Sequence, residues 1–264
     1  MLDVKQISKT FNPGTVTEKC ALRDVSLHLD RGDFVTIIGS NGAGKSTLLN
    51  AIGGSFYVDS GSISLDGKSI TFVPEYRRSK FIGRMFQDPL KGTAPSMTIE
   101  ENLSLAYLRA SEFTNPFSRP TRAQREELRE RLKHLGLGLE DRLKQPVGLL
   151  SGGQRQALTL LMATLVTPKL LMLDEHTAAL DPATAEKVLE LTREVVSRQN
   201  ITCLMITHSI QSALTLGNRT IMMNDGQIVL EISGPERERM QVQDLMQLFR
   251  EKTRRDLDND RMLL

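Results

Sequence analysis

The segment from Gly39 to Thr47 has the residue types and the spacing of a loop that binds phosphate. It reads GSNGAGKST and matches the pattern G-x-x-x-x-G-K-[ST] at every fixed position. Glycines let main-chain amides approach phosphate oxygens closely, Lys45 is expected on the β- and γ-phosphates, and Ser46 is expected to hold Mg²⁺. A glycine-rich turn that matches by coincidence is the alternative. The predicted nucleotide-binding residues are Gly39, Ser40, Asn41, Gly42, Ala43, Gly44, Lys45, Ser46 and Thr47.

An acidic pair, Asp174 and Glu175, follows the apolar run 170–173. In open α/β sheets, ligands bind at the carboxyl ends of the strands. Asp174 suits a Mg²⁺ ligand acting through water, and Glu175 suits a general base that polarises the attacking water. Taken alone, such a pair is usually part of a solvated loop. Beside a phosphate loop, the pattern favours a site of nucleotide hydrolysis.

The sequence 150–154, LSGGQ, narrows the prediction to one family. With it, the chain resembles the ATP-binding cassette (ABC) ATPases, the motor subunits of ABC transporters. Gln87 stands where the family has its Q-loop glutamine, Ala179-Leu180-Asp181 matches the D-loop, and His208 matches the switch histidine. The resemblance covers about residues 2–235.

The resemblance implies a homodimer in which two chains pack head to tail, with each ATP between the phosphate loop of one chain and the signature of the other. The signature residues expected at the partner's γ-phosphate are Ser151, Gly152, Gly153 and Gln154. Gln87 would sense the γ-phosphate and Mg²⁺, His208 would hold Glu175 and the water in place, and Asp181 would couple the two sites.

The motifs leave the roles of Phe11 and His176 open. Phe11 stands where the family has an aromatic residue that stacks on adenine, although it could equally belong to the core. His176 follows the catalytic glutamate where the family commonly has proline. This histidine could titrate near neutral pH, or it could be structural.

The elements that must position these residues follow from hydrophobic periodicity. Residues 4–9 and 21–29 alternate apolar and polar side chains, which predicts antiparallel strands, whereas the runs 34–38, 170–173 and 201–207 predict buried parallel strands. The predicted fold is α/β: a P-loop NTPase (RecA-like) core with a mostly parallel sheet, an N-terminal antiparallel β subdomain and a helical subdomain. The predicted domains are a nucleotide-binding domain at 1–235, with its helical subdomain at about 88–168, and a polar helical tail at 236–264.

Composition restricts the location and the partners. The net charge of +2 gives no indication of a nucleic-acid partner, and none is expected. The N-terminus has no apolar signal segment, and no run of 18 apolar residues could span a membrane. Cys20 and Cys203 have no metal-binding spacing, and Cys203 is predicted to be a buried thiol. Together with this, the resemblance to transporter motors implies a peripheral protein on the cytoplasmic face of the membrane.

A free-standing cassette looks like the ATPase of a bacterial uptake system, which pairs with integral membrane permease subunits and, indirectly, with an extracellular solute-binding protein. The segment DEHTAALDP at 174–182 and the insertion at 109–125 resemble importer ATPases that pair with permeases of the branched-chain amino-acid type. Their solutes are suspected to be aromatic amino acids or related small molecules. The alternatives are an export or mechanical-force ATPase acting on lipid or peptide, a metabolic phosphotransferase and a non-catalytic module gated by ATP.

Overall fold

The computed structural model describes residues 1–88, 90–110 and 121–253, so part of the predicted 109–125 insertion and the end of the tail lie outside the described residues. The chain divides into two compact units. The first comprises Met1–Arg78 with Thr202–Leu264, and the second is Ser79–Ile201. The second unit contains most of the predicted helical subdomain together with strands on either side of it.

An antiparallel sheet forms the N-terminal part of the first unit. Its strands are β1 (Leu2–Phe11), β2 (Lys19–Leu29), β4 (Ser60–Leu65) and β5 (Lys68–Ser69), in the order β2-β1-β4-β5. Leu2 pairs with Leu29, and Val4 pairs with Leu27, so the apolar positions of both strands share one buried face. The alternating pattern therefore predicted these strands correctly.

A second group of strands in the first unit surrounds β3 (Phe34–Ile38), all of whose residues are buried. β3 lies between β8 (Thr202–Ile206) and β9 (Arg219–Asn224), and both pairings are parallel. β10 (Gln227–Ser233) pairs with β9 as an antiparallel hairpin. Because β3 is covered on both faces, it carries the continuous apolar run that is typical of a parallel strand.

The helices of the first unit are α1 (Lys45–Gly53), α2 (Glu75–Arg78), α7 (Ile210–Thr215), α8 (Gly234–Arg239) and α9 (Val242–Thr253). α9 has one apolar face within the polar tail. Leu245 and Phe249 are buried in a cluster with Ile210, Ala213 and Ile38. α9 therefore packs within the first unit.

The second unit contains the parallel pair β6 (Ile82–Met85) and β7 (Leu170–Asp174). Its helices are α3 (Ile99–Ala110), α4 (Arg122–Lys133), a short 3-10 helix (Val147–Leu149), α5 (Gly152–Thr164) and α6 (Pro182–Gln199). Ile99, Leu103, Leu132 and Leu158 belong to their shared core. α3 begins with a capping box, because Thr98 Oγ1 accepts from Glu101 N–H and Glu101 Oε2 accepts from Thr98 N–H.

The two cysteines differ in exposure. Cys203 is fully buried in β8, and burial raises the pKa of its thiol. Cys20 in β2 is half-buried. Across the residues described, no helix is both long and apolar enough to cross a membrane.

Candidate nucleotide-binding and hydrolysis site

Glycine is required at both ends of the phosphate loop. Gly39 has φ of 148°, and a Cβ there would lie 2.2 Å from the carbonyl oxygen of Met223. Gly44 has φ of 98°, and a Cβ there would lie 2.7 Å from the carbonyl oxygen of Ala21. Any other residue would be strained and would clash with main chain. The loop is thus held against β9 and β2 by contacts that only glycine allows.

Lys45 folds back over this loop. Its Nζ donates to the carbonyl oxygens of Gly39 at 2.7 Å and Ser40 at 3.0 Å, and the residue is buried. Ser46 follows on the exposed side of the first turn of α1. A buried ammonium at the N-terminus of a helix makes this loop a site for anions such as phosphate.

Arg78 holds the other end of α1, and the sequence pattern did not identify it. Its Nη1 donates to the carbonyl oxygens of Ala51 and Ile52, each at 2.8 Å, and its Nε donates to that of Val73 at 2.7 Å. Arg78 is 1% exposed. The carbonyls of Ala51 and Ile52 are acceptors that a helix leaves unpaired at its C-terminus, so Arg78 fixes the helix that carries the phosphate loop.

Phe11 ends β1 and is partly exposed. Its ring meets Phe56 edge-on with centroids 5.2 Å apart, and Lys9 Nζ lies 5.8 Å from its centroid. Lys19 pairs with Phe11 across the sheet, and its Nζ lies 3.5 Å from where a Cβ of Gly42 would be. Phe11 therefore sits in the same unit as the phosphate loop, and its stacking on adenine stays a prediction.

His208 lies beyond the end of β8, the parallel neighbour of β3. Thr207 N–H donates to the carbonyl oxygen of Ile37 at 3.1 Å, which fixes the chain just before the histidine. Ser209 is the N-cap of α7, and its side chain accepts from Ser212 N–H at 3.0 Å. The main chain is thus held on both sides of His208. The phosphate loop follows β3 and His208 follows β8, so both lie at the carboxyl ends of neighbouring parallel strands.

In the second unit, Gln87 and Glu175 contact each other. Gln87 Nε2 donates to Glu175 Oε2 at 3.1 Å. Glu175 follows Asp174, the last residue of β7, and has φ of 47°. A non-glycine residue in the left-handed region of φ and ψ costs free energy. Such residues are common at functional sites, where the backbone conformation fixes the direction of the side chain. The structure therefore brings the predicted sensor and the predicted base together.

His176 is structural, and the interpretation as a group titrating near neutral pH was wrong. The residue is buried, and this burial lowers the pKa of the imidazole to about 4. Its Nε2 lies 3.2 Å from Thr192 Oγ1, and that hydroxyl donates to the carbonyl oxygen of Val188. Since the hydroxyl proton is used, Nε2 is the donor to Thr192 and carries the ring proton.

The signature and the D-loop contact each other within the second unit. A Cβ on Gly153 would lie 2.1 Å from Thr184 Cγ2, and one on Gly152 would lie 3.1 Å from Leu180 Cδ2. Ser151 caps α5 by accepting from Gln154 N–H, and Gln154 Oε1 accepts from Ser151 N–H. The Ser151 amide is thus used within the cap. Gly152 is exposed at the start of the helix, where its amide can meet an anion.

Asp181 acts as the N-cap of α6. Its Oδ1 accepts from Thr184 N–H at 3.1 Å, and this hydrogen bond, reinforced by attraction to nearby amides, lowers the pKa of the carboxyl group. Pro182 at the first helical position fits the cap. Asp181 is exposed, so the predicted role in coupling two sites is compatible with its place and remains a prediction.

Each unit carries oxygen groups of the kind that Mg²⁺ prefers as ligands. The described residues contain no group of three or more His, Cys, Asp and Glu side chains arranged to hold a metal ion. They do supply a hydroxyl at Ser46, a carboxylate at Asp174 and an amide oxygen at Gln87. Where a nucleotide supplies most of the ligands of Mg²⁺, the protein typically contributes only a few oxygen atoms.

Comparison with known proteins decides the family. The family described as ABC transporter matches residues 22–178, which include the phosphate loop, Gln87, the signature and the acidic pair. The chain belongs to the ABC transporter family. The resemblance on which the motifs were assigned is therefore confirmed, and so is the α/β P-loop fold class.

The relatives of this ABC protein are named as ATP-binding proteins. A tyrosine transport ATP-binding protein of Clostridioides difficile is 45% identical over 254 residues, covering 94% of this chain and 98% of the relative. A methionine import ATP-binding protein, MetN, of Bartonella henselae is 33% identical and covers 88% of this chain, which spans 64% of that protein. A dimeric ATP-binding cassette with ADP and Pi, in a post-hydrolysis state, superposes with a TM-score of 0.76 at 29% identity, over 88% of this chain and 98% of that chain. This ABC protein is an ATPase.

Proposed function

We propose that this chain is the ATP-hydrolysing motor of an importer for amino acids, and that its solute is an aromatic amino acid or a related small molecule. Support for uptake comes from the relatives, which are named for tyrosine transport and methionine import. Support for hydrolysis comes from the hydrogen bond between Gln87 and Glu175, because it holds the base at the end of β7. This contact is the observation on which the mechanism depends.

In the proposed mechanism, the amides of residues 42–47 and the ammonium of Lys45 bind the β- and γ-phosphates. Glu175 accepts a proton from the attacking water, and its backbone conformation sets the direction of the carboxylate. Gln87 holds that carboxylate through its amide nitrogen until the γ-phosphate arrives. His208 then contacts the γ-phosphate and orients the water, and Phe11 stacks on adenine.

Magnesium and a second copy of the chain complete the proposal. Ser46 would bind Mg²⁺ directly, with Asp174 acting through water and Gln87 contributing its amide oxygen, and the ion would neutralise charge on the phosphates. The exposed start of α5 would meet the γ-phosphate bound by the other chain of a homodimer. The dimer of a related cassette supports this arrangement.

The decisive experiment compares wild type with Glu175→Gln. We expect wild type to hydrolyse Mg-ATP and the variant to lose at least about a hundredfold in kcat, because the base is removed. We also expect the variant to sediment as a dimer with ATP bound. Glu186→Gln, an exposed substitution in α6, is the matched control and should hydrolyse at the wild-type rate. Equal rates for the Glu175 variant and wild type would remove Glu175 from the mechanism.

The proposed permease surface lies near Gln87, on the cytoplasmic face of the membrane. Phe86, Leu90 and Met97 are the apolar residues proposed for this surface, whereas Ile99 is fully buried in the helical core and contributes no contact. Leu90 is 45% exposed, and Met97 is partly exposed. Met97→Glu should abolish stimulation of hydrolysis by the permease while ATP binding stays normal. Unchanged stimulation would exclude docking at this position.

The solute assignment needs its own test. Uptake of labelled tyrosine by cells carrying the permease, the extracellular solute-binding protein and this chain should cease with Glu175→Gln. Efflux in place of uptake would favour the export alternative.

A further inference from the structure

Arg237 in α8 is a buried cation that donates hydrogen bonds to two main-chain carbonyls and one hydroxyl. Its Nη2 donates to the carbonyl oxygens of Ala213 at 2.7 Å and Leu216 at 2.5 Å, and its Nε donates to Thr220 Oγ1 at 2.9 Å. Arg237 is 6% exposed, and within the described ranges no carboxylate forms an ion pair with it. A buried guanidinium that forms no ion pair with a carboxylate is held in place by its hydrogen bonds. These bonds therefore fix its position.

The two carbonyls belong to the end of α7, the helix that follows His208. Ala213 lies in the last turn of α7, and Leu216 is its C-cap. These are acceptors that a helix leaves without intrahelical partners. α7 has only six residues and begins two positions after His208, so whatever fixes its C-terminal end also fixes the direction of the chain at the histidine.

The same carbonyl connects α7 to the strand before the phosphate loop. Thr36 Oγ1 lies 3.0 Å from the Ala213 oxygen and 3.0 Å from Thr220 Oγ1, and Thr220 Oγ1 lies 3.1 Å from the Ala213 oxygen. Thr36 and Thr220 are buried, and Thr36 precedes Gly39 by three residues. Leu245 and Phe249 of α9 cover α7 from the apolar side. The C-terminal helices thus hold α7 through a polar network and an apolar cluster.

We propose that Arg237 is a positioning residue for His208: through the carbonyls of α7 it sets the place of the histidine relative to the phosphate loop. This inference rests on the proposed function, in which His208 contacts the γ-phosphate. It assigns a role to the C-terminal segment of the chain, since α8 supplies the cation and α9 supplies the apolar cover. Arg237 itself touches neither nucleotide nor water in this role.

The test measures hydrolysis by the full chain with Arg237→Gln. We expect kcat to fall about tenfold while KM and the Kd for ATP change less than about twofold, because displacing a catalytic group alters the reaction and not the binding of the substrate. Arg237→Lys, which can still donate to one carbonyl, should give an intermediate kcat. Arg239→Gln is the matched control, since Arg239 is exposed in the same helix and should leave kcat unchanged.

A double-mutant cycle separates positioning from general destabilisation. In a His208→Ala background, Arg237→Gln should cause no further fall in kcat, because the residue through which it acts is gone. The same tenfold fall in both backgrounds, or no fall in either, would overturn the inference. Wild-type hydrolysis by His208→Ala alone would instead contradict the proposed function.

Thr220→Val provides the test if Arg237→Gln does not fold. It removes the hydroxyl that accepts from Arg237 Nε and leaves the charge in place. We expect a fall in kcat of about threefold with unchanged Kd for ATP, again absent in the His208→Ala background. Unchanged kcat in this folded variant would count against the network.

Discussion

At the scale of single residues, the absence of a side chain at Gly153 lets the signature helix α5 pack closely against Thr184 in α6. Gly153→Ala would place Cβ 2.1 Å from Thr184 Cγ2, so one of the two must move. We expect the free energy of unfolding to fall by about 1–3 kcal/mol, the usual cost of overpacking. Urea unfolding measures this change.

A second substitution that removes the clash should restore the stability lost by Gly153→Ala. Thr184→Ser removes Cγ2, so the double variant Gly153→Ala with Thr184→Ser should regain most of the lost stability. Gly152→Ala is the control, because its Cβ would meet only the tip of Leu180 at 3.1 Å. A double variant as unstable as Gly153→Ala would show that the crowding lies elsewhere.

Asp33 gives the stability a dependence on pH. Burial alone would raise the pKa of its carboxyl group, but hydrogen bonds from Asn218, the Asp30 amide and Arg219 outweigh burial, and the pKa is lowered. A carboxyl group whose pKa is lower when folded stabilises the protein above its unfolded pKa of about 4, and this stabilisation is lost as the pH falls through the folded value.

We therefore expect Asp33→Asn to lower the free energy of unfolding by about 2 kcal/mol at pH 7 and by less at about pH 3. Urea unfolding at both pH values measures the difference. Asp24→Asn, an exposed substitution in β2, should change stability equally little at both. A constant loss at the two pH values for Asp33→Asn would mean that its charge does not matter.

At the scale of elements, Arg78 shows how a helix without its own C-terminal cation is held. Arg78→Met would leave the carbonyls of Ala51, Ile52 and Val73 buried without this donor. We expect a loss of about 2–4 kcal/mol in the free energy of unfolding, since buried unsatisfied groups pay their full desolvation cost. Chemical denaturation tests this, with the exposed Arg77→Met expected within about 0.5 kcal/mol of wild type.

Elements with strong local signals were predictable from the sequence. α6 begins at Pro182 after the cap Asp181 and ends at Gln199, and the cap, the proline and the apolar period of the sequence all indicate this helix. α2 and α8 were missed, since helices of four and six residues are too short to show a period. The contacts of Arg78, Arg237 and Thr184 were also missed, because each joins segments far apart in the chain and no local pattern records such a contact.

At the scale of the whole molecule, the proposed dimer predicts complementation between two inactive variants. Lys45→Ala removes the charge at the phosphate loop. Ser151→Asp keeps an N-cap for α5 but brings a carboxylate to the expected position of the partner's γ-phosphate. Each variant alone should hydrolyse ATP far more slowly than wild type.

Mixing the two variants in equal amounts before adding ATP should restore about a quarter of the wild-type rate, because half the dimers are mixed and each has one intact site. Steady-state hydrolysis of the mixture and of each variant measures this. A mixture no faster than the mean of the separate variants would show that the signature does not act across a dimer.

The unequal burial of the two cysteines makes this protein convenient to label without mutagenesis. Cys203 is enclosed in β8 and its thiol stays protonated, so a maleimide dye should attach to the half-buried Cys20 alone. Cys20 is followed by Ala21, whose carbonyl oxygen packs against Gly44 of the phosphate loop. A fluorophore at this position would therefore report arrival and departure of the nucleotide in real time, in the otherwise native chain.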